Sequence, residues 1–179
     1  KNTLAPEKSG TLILPEGLKG ENLKTRQSMQ HTAIAVIAKN QIRTINIHSN
    51  RMLHSSGFIA RVFDVFRKHE VVIDLISTSE VNISCTVDSP EKLNGLVQEL
   101  KELGTVTVHK DRSILSLVGE GMRTRPGTAG RMFSALAQEG INIEMIAQGA
   151  SEINISCVIL ESDSTRALQA LHQIFLEQR

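Results

Sequence analysis

The chain has 179 residues, enough for one domain or two small ones, and its 20 Lys and Arg are offset by 19 Asp and Glu. That balance provides no field to hold a nucleic-acid backbone or an anionic membrane, and an aromatic content of 3%, without Trp or Tyr, leaves no stacking platform for single-stranded nucleic acid or sugars. No apolar run approaches the roughly 18 residues that span a bilayer, and no charged-then-apolar leader opens the chain, so a soluble, cytoplasmic protein is expected.

Residues 1–30 read as a linker, with Pro6, Gly10, Pro15, Gly17 and Gly20 breaking up a mostly polar stretch. The chain opens on Lys1-Asn2-Thr3 rather than on Met, which points to a piece of a longer polypeptide. Thr32 to Ile37 forms a short β-branched strand. Arg43 to His48 alternates as a second strand, and a polar loop from Ser49 to Ser56 comes after it. Phe58 to His69 then places Ile59, Val62, Phe63 and Phe66 on one helical face. Val71 to Ser77 and Val81 to Val87 are strands joined by a short polar turn. Ser89 suits an N-cap and Pro90 the first turn of a helix whose buried stripe is Leu93, Leu96, Val97 and Leu100. Gly104 ends it, and Thr105 to His109 returns as a strand.

The same order then begins again. Ser79-Glu80-Val81-Asn82-Ile83-Ser84-Cys85 recurs as Ser151-Glu152-Ile153-Asn154-Ile155-Ser156-Cys157, a shift of 72. Upstream, at a shift of 70, Met52, Gly57, Arg61, Phe63, Ile73 and Ile76 match Met122, Gly127, Arg131, Phe133, Ile143 and Ile146. The second repeat supplies strands at 113–118, 141–147 and 153–160, a helix at about 128–139, and a last helix after Asp163-Ser164 carrying Ala167, Leu168, Leu171, Ile174 and Phe175. Each repeat is therefore βαββαβ, except that the second lacks its final strand. A sheet missing an edge leaves unpaired backbone and a half-covered helix, so the surplus strand at 32–37 is expected to complete it. The expected fold is α+β, two ferredoxin-like βαββαβ domains with antiparallel sheets and two helices on one face. The expected division is a linker at 1–30, a first domain at 40–110, and a second built from 31–39 with 111–179.

Catalytic apparatus is hard to find. Gly119-Glu120-Gly121-Met122-Arg123-Thr124 comes after a strand but lacks the third glycine of a dinucleotide fingerprint, and no Gly-Lys-Ser/Thr phosphate loop exists. His31, His48, His54, His69, His109 and His172 show no ligand spacing. Cys85 and Cys157 sit in apolar runs as reduced core residues. No metal or cofactor is expected in this chain.

The loop before the first helix holds more promise. Ser49, Ser55, Ser56 and Asn50 precede a helix start, and Gly57 lets a ligand approach backbone amides that favour a carboxylate. Asp74 offers a partner for an ammonium. Ser77, Thr78, Ser79 and Glu80 at the strand end add hydroxyls and a further charge. Together these complement a zwitterionic α-amino acid. A purely structural explanation stands beside this one: Ser55 and Ser56 also suit helix capping, and Asp74 an exposed strand residue beside Arg67 or Lys68. The second repeat has Arg125, Pro126, Gly127 and Thr128 in the equivalent loop, Glu144 for Asp74 and Gln148 for Thr78.

Asn46-Ile47-His48-Ser49, His54-Ser55-Ser56-Gly57-Phe58 and Asp74-Leu75-Ile76-Ser77-Thr78-Ser79-Glu80 resemble the first ACT domain of aspartate kinases. Ser116-Leu117-Val118-Gly119, Gly140-Ile141-Asn142-Ile143-Glu144-Met145-Ile146 and Gln148-Gly149-Ala150 resemble the second, and the wording is most like that of fungal members. The resemblance implies the regulatory part of an enzyme that phosphorylates the side-chain carboxylate of L-aspartate with ATP. The kinase domain, with its ATP and Mg, would lie outside this chain. Carried over by position, the family's effector contacts fall on Met52, His54, Ser55, Gly57, Phe58 and Ile59, on Val72, Ile73 and Asp74, and on Ser79 and Glu80, while Gln148 matches a glutamine of some threonine sites. The resemblance also implies a homodimer through the first ACT domain, with effector at the junction. L-threonine is favoured and L-lysine is the alternative. A pure assembly module without ligand is the rival class.

Overall fold

The computed structural model describes residues 33, 35–53, 55–88, 90–119, 122, 125–149 and 153–177. The expected linker at 1–30, His54 and the Ser89 cap lie outside them. Among the described residues a six-stranded antiparallel sheet has the order β2-β3-β1-β4-β6-β5. Its strands are β1 (Ala35–His48), β2 (Ile76–Thr78), β3 (Asn82–Val87), β4 (Thr105–Val118), β5 (Met145–Ala147) and β6 (Asn154–Leu160). The helices are α1 (Phe58–Lys68), α2 (Leu93–Leu100), α3 (Thr128–Gln138) and α4 (Ser164–His172). No described helix is long and apolar enough to cross a membrane.

The α+β class and the two ferredoxin-like units are as the sequence implies, but the strands run differently at the seam. From Ala35 onward the separate strands expected at 32–37 and 43–48 are one 14-residue strand, β1, and those expected at 105–109 and 113–118 are likewise one 14-residue strand, β4. The cause lies at Gln41 and Asp111, whose φ of 60° and 58° place a left-handed residue inside each strand. On β1 the register against β4 shifts between Lys39 and Ile42 and again between Ile42 and Thr44. A bulge of this kind bends a strand and turns its side chains to the other face without ending it.

Each long strand therefore serves two cores. Ile45 and Ile47 of β1 join Phe58, Val62, Phe66, Ile83, Cys85, Leu96 and Leu100 in the first. Val36 and Ala38, nearer the start of the same strand, pack against the second, which holds Leu115, Leu117, Met132, Leu136, Ile155, Cys157, Ala167 and Leu171. Residues 35–39 pair with 114–118 of β4, so the surplus strand lies beside the second repeat's sheet as expected. Asn40 fastens this junction: its Oδ1 accepts from Ser113 Oγ at 2.6 Å and from Ser164 Oγ, at the start of α4, at 2.8 Å. A third apolar cluster, Ile42, Ile114, Met145 and Val158 with Leu75 against it, joins the two halves, and edge strands β2 and β5 approach without pairing.

The helices are explained by their spacing. Phe58, Val62, Val65 and Phe66 recur on one buried face of α1, and Arg67 and Lys68 in its last turn complement the helix dipole. Val71 N–H donates to the Phe66 carbonyl at 3.0 Å and Glu70 N–H to that of Arg67 at 3.1 Å, closing the helix in a Schellman pattern. The second repeat closes α3 alike, from Ile141 to Leu136 at 2.9 Å and from Gly140 to Ala137 at 3.0 Å. The segments expected as strands over 71–77 and 141–147 are shorter than the alternation suggests. Only Ile76–Thr78 and Met145–Ala147 form regular strands. In the first repeat Thr86 faces two residues: its carbonyl accepts the Asp74 amide at 3.0 Å, its amide donates to the Leu75 carbonyl at 3.0 Å and its hydroxyl accepts the Leu75 amide at 2.8 Å, a bulge beyond which the regular strand does not extend.

Candidate ligand site of the first repeat

β1 ends at His48, and Ser49 anchors the loop beyond it. The Ser49 backbone amide donates to the Val81 carbonyl at 2.9 Å, its hydroxyl donates to the Leu103 carbonyl at 2.8 Å, and the same oxygen accepts the Arg51 amide at 3.3 Å, capping a short 3₁₀ turn over Asn50–Met52. Gly104 makes this approach possible, since a Cβ there would lie 2.4 Å from the His48 carbonyl oxygen. The β2–β3 turn is held to the same end of β1. Ser79 N–H donates to the Asn82 carbonyl at 2.9 Å, and Asn82 Oδ1 lies 2.9 Å from His48 Nδ1. The structure thus brings the loop after β1 and the Ser79–Glu80 turn to one end of the sheet.

Helix α1 starts from that loop. Gly57 is its N-cap with φ 81°, Phe58 N–H reaches the Ser55 carbonyl at 3.5 Å, and the Ile59 and Ala60 amides have no acceptor within the helix. Ser55 and Gly57 are exposed, while Met52 is half-buried against the first core. The Phe58 side chain is 1% exposed and packs in the first core, so its backbone is the part at the surface of the loop. Ile59 and Val72 are exposed apolar residues at 41% and 69%, and Ile73 packs against the core.

Asp74 is elsewhere. It stands before β2 and Ser79 after it, so extended backbone at about 3.3 Å per residue sets the two up to about 16 Å apart. One copy of the chain therefore does not set Asp74 beside the Ser79–Glu80 turn, where a single amino acid could touch both. The partner of Asp74 is neither Arg67 nor Lys68, which bind Asp64 and Glu99 instead. It is Lys39, whose Nζ lies 2.9 and 2.8 Å from the two Asp74 oxygens and 2.9 Å from Asp88 Oδ2. Hydrogen bonds to Asp74 first and Asp88 second raise the Lys39 ammonium above the usual lysine range. Sequence reasoning missed Lys39 because it falls where alternation breaks, between two expected strands.

The second repeat is built on the same frame with other chemistry. Gly119 N–H donates to the Ile153 carbonyl at 2.8 Å as Ser49 does to Val81, and Gly127 caps α3 with φ 85°. Glu144, in the place of Asp74, is gripped by Arg112 of its own repeat at 2.8 and 2.7 Å, through two parallel hydrogen bonds. Gln148 is exposed just past β5. Among the described residues no group of three His, Cys, Asp or Glu could hold a metal ion.

Two tandem α+β units that share their long strands, each leading from a strand end to a glycine-capped helix, define a paired ferredoxin-like fold. The profile of the ACT domain matches residues 45–96 and 115–175, and the chain belongs to the ACT-domain family. Within that family it is similar to aspartate kinases. It is 46% identical to the aspartokinase of Saccharomyces cerevisiae over all of this chain and 37% of that protein. It spans 96% of a putative C-terminal regulatory domain of aspartate kinase from Porphyromonas gingivalis, which covers 79% of this chain at 34% identity and TM-score 0.70. Aspartokinase III of E. coli, solved with lysine and aspartate, matches at 30% identity and TM-score 0.73 over 83% of this chain and 34% of that one. The chain therefore spans little more than a third of the full-length relatives it matches.

Proposed function

We propose that this chain is the regulatory region of an aspartate kinase and binds a feedback-inhibitor amino acid, with L-threonine favoured over L-lysine, where the first ACT domains of two copies meet. In this reading residues 1–30 link to a kinase domain that holds ATP and Mg, 40–110 form the first ACT domain, and 31–39 with 111–179 form the second. The effector controls the first step of aspartate-family amino-acid synthesis by binding one arrangement of the dimer better than the other.

The observation that carries the reading is the distance of Asp74 from the Ser79–Glu80 turn. Strand β2 pairs only with β3 among the described strands, and Ile76 at its start and Val72 before it are exposed apolar residues. Two such strands meeting antiparallel about a twofold axis would set Asp74 of one copy beside the turn of the other, so one amino acid could reach both. The carboxylate of the effector faces the Ile59 and Ala60 amides, its amine faces Asp74, and Ser79 meets a small hydroxyl side chain. L-lysine remains the second reading, because Glu80 at the same turn suits a distal ammonium and a relative binds lysine.

Calorimetric titration with L-threonine and L-lysine separately, alongside sedimentation, tests this. Saturable binding of L-threonine by a dimer is expected. An intact dimer that binds neither amino acid contradicts it.

A further inference from the structure

We infer that Lys39 is a built-in competitor for the effector's amine: its ammonium occupies the Asp74 carboxylate in the free protein, and effector binding passes it to Asp88. This rests on the proposed effector site at the first repeat. Three observations carry it.

The first is sharing. One ammonium serves two carboxylates here, at 2.8 Å from Asp74 and 2.9 Å from Asp88. Lys39 does not have to return to water when it leaves Asp74, since Asp88 already shares it.

The second is the contrast between repeats. Glu144 is bound by a bidentate arginine, and a further Arg112 N–H is tied to the Lys110 carbonyl at 2.7 Å, with the two side chains only 16% and 27% exposed. A planar guanidinium fixed at both ends is a permanent partner. Lys39 is a flexible point charge, 43% exposed. The position equivalent to Arg112 is Ile42, which is fully buried, so the first repeat has no cation of its own at this place. Its carboxylate is exchangeable, whereas that of the second repeat is locked.

The third is location. Lys39 lies on the part of β1 that pairs with 114–118 of the second repeat, next to the left-handed Gln41, while Asp74 belongs to the first. An effector amine that displaces Lys39 therefore releases a tie between the two repeats. Occupancy of one domain is reported to the other without any movement of the cores.

The test titrates the wild-type chain, Lys39→Met and Lys39→Arg with L-threonine and with L-lysine, with thermal melts to confirm folding. An exposed ion pair is weak, so the amino acid that binds wild type should bind Lys39→Met about three- to fivefold more tightly. Lys39→Arg keeps the charge but grips Asp74 bidentately, and should bind more weakly than wild type by a similar factor, which separates competition for the seat from long-range charge. Wild-type binding with Lys39→Met equal or weaker overturns the competitor role while leaving the effector site standing. Absence of binding by all three overturns the effector site and this inference together.

Discussion

Glu70 and Gly140 end equivalent helices at the same point of the two repeats, and both adopt a left-handed backbone, with φ of 52° and 66°. Glycine has no Cβ to resist that conformation, whereas glutamate is strained in it by about 1 kcal/mol. Glu70→Gly should therefore raise stability by up to about 1 kcal/mol, or roughly 2–4 °C in Tm for a chain of this size. The Lys92 to Glu70 ion pair it removes is 3.5 Å long and exposed, and offsets little. The converse, Gly140→Ala, meets no atom within 4 Å and should cost about 1 kcal/mol from backbone strain alone. Thermal melts that show Glu70→Gly less stable than wild type would refute this account of the helix ends.

Gly104 is required for a different reason. A methyl group there would press on the His48 carbonyl at 2.4 Å and on Ser49 Cβ at 3.0 Å. Gly104→Ala should destabilise the chain by about 1–3 kcal/mol by overpacking and should weaken amino-acid binding, because Ser49 positions the loop that leads to α1. Denaturant unfolding and then titration measure both. A variant with wild-type stability would mean that the strand end yields freely.

Glu99 gives a pH signature. It accepts from Lys68 Nζ at 2.9 Å and lies 2.9 Å from His69 Nε2, and these two partners, lysine first, hold its carboxyl below the ordinary glutamate range. A lowered carboxylate contributes stability that is present above the unfolded value and is lost as pH falls through the folded one. NMR titration of the Glu99 carboxyl should show the depressed value in wild type and a shift back up in Lys68→Met. A wild-type value at or above the ordinary one contradicts the ion pair.

The two cysteines should be inert. Cys85 and Cys157 are fully buried on β3 and β6, and desolvation pushes both thiols up to about 12. Neither should react with a thiol reagent at neutral pH until the chain unfolds, and both should react in denaturant. Rapid labelling of the native protein would mean that these strands open.

Much of this architecture is legible in the sequence because the chain states it twice. The 70-residue repeat fixes α1 and α3, their cores and the missing strand, since each position is read from two contexts. The seam is harder to read. A polar pair such as Asn40-Gln41 or Lys110-Asp111 breaks alternation in the same way whether the strand stops or bulges, and only the left-handed backbone distinguishes them. The site has a similar difficulty. Asp74 and Ser79 are only five residues apart in sequence, but the full length of a short strand lies between them. Lys39 is invisible as their companion because tertiary pairing across 35 positions, rather than local pattern, brings it to Asp74.

The central claim is that the first repeat, and not the second, takes the amino acid. Two-dimensional amide NMR of the chain, recorded while L-threonine and then L-lysine is added, tests it most directly. Shifts are expected to concentrate at Ser55–Ile59, Val72–Asp74 and Ser79–Glu80, with the equivalent amides at 125–129 and 142–144 unmoved. Shifts centred on the second repeat, or none with either amino acid, would contradict it.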